Sequence, residues 1–128
     1  MISKQEFYKG RDVQYAADLT NDIRASAEVT MLKAALLLEA FGEQRGVTSG
    51  WRPAAVNMAT ANAATHSRHM TGEAIDLEDK DGRLDDWCLQ NPEVLVQLGL
   101  WQEHPTATVG WCHVQTVPPR SGHRVFYP

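Results

Sequence analysis

The segment from Thr20 to Gln44, TNDIRASAEVTMLKAALLLEAFGEQ, repeats apolar residues at Ile23, Ala27, Met31, Ala35 and Leu38. That spacing lines one face of a helix, so a long amphipathic helix is expected here, with Gly46 as its stop. Upstream, Val13, Ala16, Ala17 and Leu19 suggest a short leading helix over Asp12–Leu19.

Beyond the helix the pattern changes to short β-type runs broken by turns. Val47–Trp51 is β-branched and aromatic and reads as a strand, and Pro53 is suited to open a short helix through about Ala59. The residues TANAATHS that follow are small and polar and read as a loop. Glu73–Glu78 alternates, with Ala74 and Asp76 on one face and Ile75 and Leu77 on the other. A turn over Asp79–Gly82 leads to two helical pieces, Leu84–Leu89 and Pro92–Leu98, parted at Asn91-Pro92. Leu100–Trp101 and Gly110–Val117 are further expected strands, and the tail PPRSGHRVFYP is expected to pack as an extended flap. The sum is an α+β fold, a small antiparallel sheet flanked by helices.

With 128 residues and 43% hydrophobic content, one core is self-supporting, so a single domain over residues 1–128 is expected. The net charge of −4 has its lysines and arginines scattered among carboxylates, which argues against a nucleic-acid partner. The longest apolar run, Ala34–Leu38, is far too short for membrane insertion, and MISKQEFYKGRDVQ lacks the apolar core of a signal peptide. Synthesis in the cytoplasm is therefore expected. The two cysteines, Cys88 and Cys112, form no C-x-x-C pair, so neither a disulfide framework nor a thiolate zinc cage is indicated.

The chemistry gathers in SRHMTGEAID, residues 67–76, where His69 and Asp76 flank Gly72. Imidazole and carboxylate are good zinc ligands, and one more histidine would leave the open position of a catalytic site. His113 is the candidate. It lies in WCHVQ, where alternation puts Trp111 and Gln115 on its face and Cys112 and Val114 on the other. Spacing alone leaves two readings open. Either these three residues bind a metal, or His69 caps a turn while Asp76 and His113 are ordinary polar residues.

Three blocks taken together carry a resemblance. Ser49-Gly50-Trp51-Arg52-Pro53 with Asn57, then Ser67-x-His69-x-x-Gly72-x-Ala74-x-Asp76, then Trp111-x-His113-Val114, resemble the zinc D-alanyl-D-alanine peptidases that share a fold with the Hedgehog signalling domain. Within that superfamily the chain is similar to small peptidase-like proteins of phages and prophages, including endolysins. The resemblance implies that His69, Asp76 and His113 hold Zn2+, that Arg52 reaches the substrate and polarises its scissile carbonyl, and that Ser67 contacts the substrate or the ligand shell. It implies a peptidoglycan stem peptide as substrate, cut by a carboxypeptidase or endopeptidase reaction. Action at the cell wall or in a virion follows, with phage structural proteins as further partners. Family members carry an acidic residue or histidine as general base two or three positions before the last ligand, where this chain has Trp111 and Gly110. The nearest replacements are Glu103 and His104, and Glu103, folded over the metal by a loop, is expected to shuttle the proton. Without it, the domain would be a catalytically impaired zinc-binding component of a phage particle.

Other features have plainer readings. Asp76–Gly82 fails as a calcium loop, because Leu77 and Cys88 fall where ligands are needed, and reads as a solvated turn. Trp87 and Trp101 are expected in the core, Trp51 and Trp111 at the cleft edge. His66 is a rival ligand that a polar loop would leave solvated, and nothing in its spacing requires His123 at the site.

Overall fold

The computed structural model describes residues 1–128. Two short helices come first, α1 (Lys4–Tyr8) and α2 (Arg11–Gln14), followed by a 3-10 turn at Ala16–Asp18. The expected continuous helix over Asp12–Leu19 is thus broken, and Val13 is 80% exposed while Leu19 is buried. KQEFY is too short to display a helical period, yet α1 buries both Phe7 and Tyr8.

The long apolar period folds as α3 (Asn21–Phe41). Thr20 caps it, its Oγ1 accepting the Ile23 N–H at 3.2 Å. The helix stops at Gly42, earlier than Gly46, because Gly42 takes the left-handed conformation (φ +91°) and donates its N–H to the Leu38 carbonyl. Its buried face comprises Ala27, Thr30, Met31, Ala34, Leu37 and Leu38.

The sheet has five strands: β1 (Val47–Ser49), β2 (Ala74–Asp79), β3 (Trp101–Glu103), β4 (Gly110–Gln115) and β5 (Val125–Phe126), in spatial order β1-β2-β4-β3-β5. The first four pair antiparallel, as expected. β5 lies parallel to β3, because the connection after β4 turns the chain back and β5 runs opposite to β4. The expected flap is therefore part of the sheet, which is mixed. Helices α4 (Ala54–Ala59), α5 (Arg83–Gln90) and α6 (Pro92–Leu98) complete the α+β architecture. Pro53 serves as the cap of α4 rather than its first residue.

Strand alternation sorts the sheet into two faces. Ile75, Leu77, Cys112 and Val114 join Ala27, Leu37, Leu38, Leu84 and Leu95 in one buried core, while Asp76, His113 and Gln115 face away from it. Both cysteines are free and buried. The core side of β3 carries Gln102, whose Nε2 donates to the Asp85 carbonyl and to Asp85 Oδ1 at 3.1 and 2.9 Å. Thr108 donates to the other Asp85 oxygen at 3.1 Å. Burial pushes the Asp85 carboxyl up, and these donors oppose it only in part. The network ties β3 to α5. No helix is long and apolar enough to cross a membrane.

The Asp79–Gly82 turn is more than solvated surface. Asp79 is 1% exposed, and its two carboxylate oxygens accept the Leu84 and Asp85 N–H groups, each at 2.9 Å. Arg45 Nη1 pairs with Oδ1 at 3.0 Å. One carboxylate thus joins β2 to the start of α5 and shares with Glu43 and Asp81 the pairing of a nearly buried guanidinium. Asp79→Ala is expected to lower unfolding free energy by about 3 kcal/mol, combining a lost cap with a broken buried pair. Urea unfolding checks it, and a loss below about 1 kcal/mol would show that the cap is dispensable.

Candidate metal centre

His69, Asp76 and His113 converge, with one ligand atom of each lying within 4.8 Å of the others. Asp76 and His113 are brought together by strand pairing, since they sit directly opposite in the β2–β4 register. His69 comes from a 3-10 turn, Arg68–Thr71, that precedes β2. That turn is pinned on every side. Ser67 Oγ accepts the His69 N–H at 3.2 Å, Trp51 Nε1 donates to the Met70 carbonyl at 3.0 Å, and the Arg52 N–H donates to the His69 carbonyl at 3.1 Å. Gly72 ends the turn with φ +75°, and its carbonyl accepts the Thr30 hydroxyl at 2.7 Å. A Cβ there would also lie 2.9 Å from the Ile23 carbonyl of α3, so glycine is required twice over.

The donor set suits a cation. His69 Nδ1 lies 2.8 Å from the Gly50 carbonyl oxygen, which only accepts, so the proton of the neutral ring sits on Nδ1. Nε2 then turns a lone pair toward Asp76 Oδ2 at 3.3 Å. On the other side of the same carboxylate, His113 Nδ1 is 2.8 Å from Asp76 Oδ1, and His113 Nε2 is 2.9 Å from Gln115 Oε1. Two imidazoles and a carboxylate, all less than a tenth exposed, make a donor set that could hold a metal ion.

The electrostatics agree. Burial pushes the Asp76 carboxyl up, but its interactions with His69 and His113 outweigh that and hold it well below the usual carboxylate range. Burial lowers the His69 pKa, and Asp76 only partly offsets it. For His113 the balance reverses: burial lowers it, while Asp76 and Glu103 raise it above the ordinary value.

A cleft of about 530 Å³ opens over these three residues, lined also by Arg52, Ser67, Glu103, Trp111 and the loop Thr60–Ala64. Asn57 holds that loop by donating Nδ2 to the Ala64 carbonyl at 2.9 Å. Arg52 donates Nη2 to Ser67 Oγ at 3.0 Å, and its Nε is buried without a protein partner. The guanidinium is half-buried, its pKa lowered by burial against the pull of Asp76. It is held at the cleft wall with hydrogen-bonding capacity to spare.

Glu103 reaches the cleft by a different route than expected. It ends β3 rather than riding a loop, and continuing the β3–β4 register sets it opposite His113. Burial raises its carboxyl pKa, with His113 opposing. His104 turns away and stacks on Tyr127 at 4.4 Å between ring centroids. Of the tryptophans, Trp111 lines the cleft, 36% exposed, but Trp51 is a correction. It is 1% exposed, with its ring edge-on to Tyr8. Trp87 and Trp101 are half-buried, Trp87 packed against the core and Trp101 under the Arg124 guanidinium. His66 and His123 are exposed and outside the cleft. The Gly50 carbonyl and Thr30 escape a reading of side-chain motifs, although Gly50 sits inside the SGWRP block that points to the site.

A family model described as Peptidase M15 matches residues 5–93. The match takes in Arg52, Ser67, His69 and Asp76 and stops short of β3 and β4, which bring Glu103 and His113. No curated protein and no solved structure matches the chain.

Proposed function

The chain belongs to the peptidase M15 family, and on that premise we propose that it is a zinc-dependent peptidase that hydrolyses a peptide bond in the stem peptides of bacterial peptidoglycan. The observation that carries this reading is the convergence of His69, Asp76 and His113 on one point at the floor of a cleft that also holds a carboxylate and a guanidinium. Zinc held there would supply Lewis-acid polarisation of a carbonyl and a water acidified to a pKa of about 7.

The remaining work falls to the chain's own groups. Glu103, raised toward neutrality by burial, accepts a proton from the attacking water and returns it to the leaving amine. Arg52 points its free donors at the oxyanion that develops on the scissile carbonyl. Ser67 keeps that guanidinium in line by accepting from it. Trp111 forms an apolar edge along which the peptide lies. The loop Thr60–Ala64 walls the cleft with small side chains. Such a reaction fits action at the cell wall, by an endolysin or carboxypeptidase of a phage or prophage.

Metal analysis and unfolding provide the first test. One zinc per chain is expected, and free zinc at 100 times Kd raises unfolding free energy by about 2.7 kcal/mol. His113→Ala removes both effects. A protein whose stability ignores zinc would sink the reading. Incubation with purified peptidoglycan then tests the reaction. New amine termini should appear with zinc and vanish with a chelator. A zinc-loaded protein that binds the wall polymer and releases no amines would instead be a binding or structural component of a phage particle.

A further inference from the structure

His113 lies between two oxygen-bearing side chains, and one of them has its orientation dictated. Gln115 is 5% exposed, two residues along β4 and so on the same face as His113. Its Nε2 lies 2.9 Å from the Val117 carbonyl oxygen. A carbonyl only accepts, so the amide must present its NH2 to Val117 and its Oε1 to His113. That Oε1 is 2.9 Å from His113 Nε2 and also only accepts, which puts the proton of the neutral ring on Nε2. Nδ1 faces the Asp76 carboxylate, 2.8 Å from Oδ1, and in a neutral ring it is the nitrogen left to a cation held between the two.

We propose that Gln115 is a positioning residue: anchored by the Val117 carbonyl, it fixes the tautomer of His113 and so makes Nδ1 the nitrogen that binds the metal. This rests on reading the site as a zinc centre. His69 is held the opposite way, with the Gly50 carbonyl on Nδ1 and Nε2 free. The two histidines therefore offer different nitrogens to the same ion, and each choice is made by a group behind the ring. A neutral amide performs this task without adding a negative charge to the centre, which a carboxylate in its place would do.

Two measurements test it. In long-range proton–nitrogen spectra of the zinc-loaded protein, His113 should carry its proton on Nε2 and its metal on Nδ1, and His69 the reverse. In competition with a chelator, Gln115→Met, similar in length but without the amide oxygen, should bind zinc about 10–100-fold more weakly. Gln115→Glu, which keeps an oxygen toward Nε2 but loses the donor to the Val117 carbonyl, should weaken binding less than Gln115→Met does. Circular dichroism of the metal-free variants checks that both fold. If Gln115→Met does not fold, the spectrum of the unaltered protein decides alone. Zinc on His113 Nε2, or undiminished affinity in folded Gln115→Met, overturns the role of Gln115 and leaves the zinc reading standing. A parent protein that takes up no zinc overturns both.

Discussion

In Glu103→Gln, peptide-bond hydrolysis falls by about 10²–10⁴-fold while zinc content is unchanged. The substitution keeps the size of the side chain and its hydrogen-bonding reach but removes the ability to take a proton. Two features make the effect large. Glu103 ends a paired strand opposite His113, so it is held beside the centre by backbone hydrogen bonds rather than by a mobile loop. Its carboxyl is also half-buried and pushed up, toward the pH at which a general base is most effective. Rates on a soluble stem peptide, with zinc measured on the same samples, separate loss of chemistry from loss of metal. Full activity with zinc in place would move the base to another residue.

Gly50→Ala should lower unfolding free energy by about 3 kcal/mol and weaken zinc uptake with it. A Cβ built at Gly50 would sit 2.2 Å from the Phe7 carbonyl and 2.7 Å from its ring. Neither neighbour can yield cheaply, because one is backbone and the other a ring with no exposure. Relief requires α1 to lift from the sheet or the 49–51 segment to move. The second path displaces the carbonyl that orients His69. Denaturant unfolding and chelator competition read the two consequences separately. A loss under about 1 kcal/mol would mean that α1 is not seated against this segment as described.

Much of the cluster is legible in the sequence because its residues lie in short blocks whose order and spacing carry a family resemblance. Alternation puts Asp76 and His113 on definite strand faces and glycine marks the turn after His69, but that the three act together is what the resemblance of the three blocks implies, since spacing alone leaves two readings open. The helices α3, α5 and α6 and the strands β1, β2 and β4 follow from periodicity and their breakers. What escapes is non-local. Nothing in KQEFY announces that Phe7 seals the back of Gly50. The tail becomes β5 only because β3 offers it an edge, and the seat of Glu103 on β3 depends on that pairing. Trp51 reads as a cleft residue from its neighbours Arg52 and Pro53, yet its ring turns inward to donate to Met70, a choice made by the shape of the core.

The spatial order of the strands also sets a timetable. β4 slots between β2 and β3 although it is made after both. A chain emerging from the ribosome therefore has His69 and Asp76 outside long before His113, and the third ligand arrives only when residues 110–115 have been synthesised and inserted into the gap. At translation speeds of about 5–20 residues per second, a nascent chain spends seconds with only two of the three residues of the cluster made. Insertion of β4 then sets His113 opposite Asp76, and only β5 remains to be added along the free edge of β3.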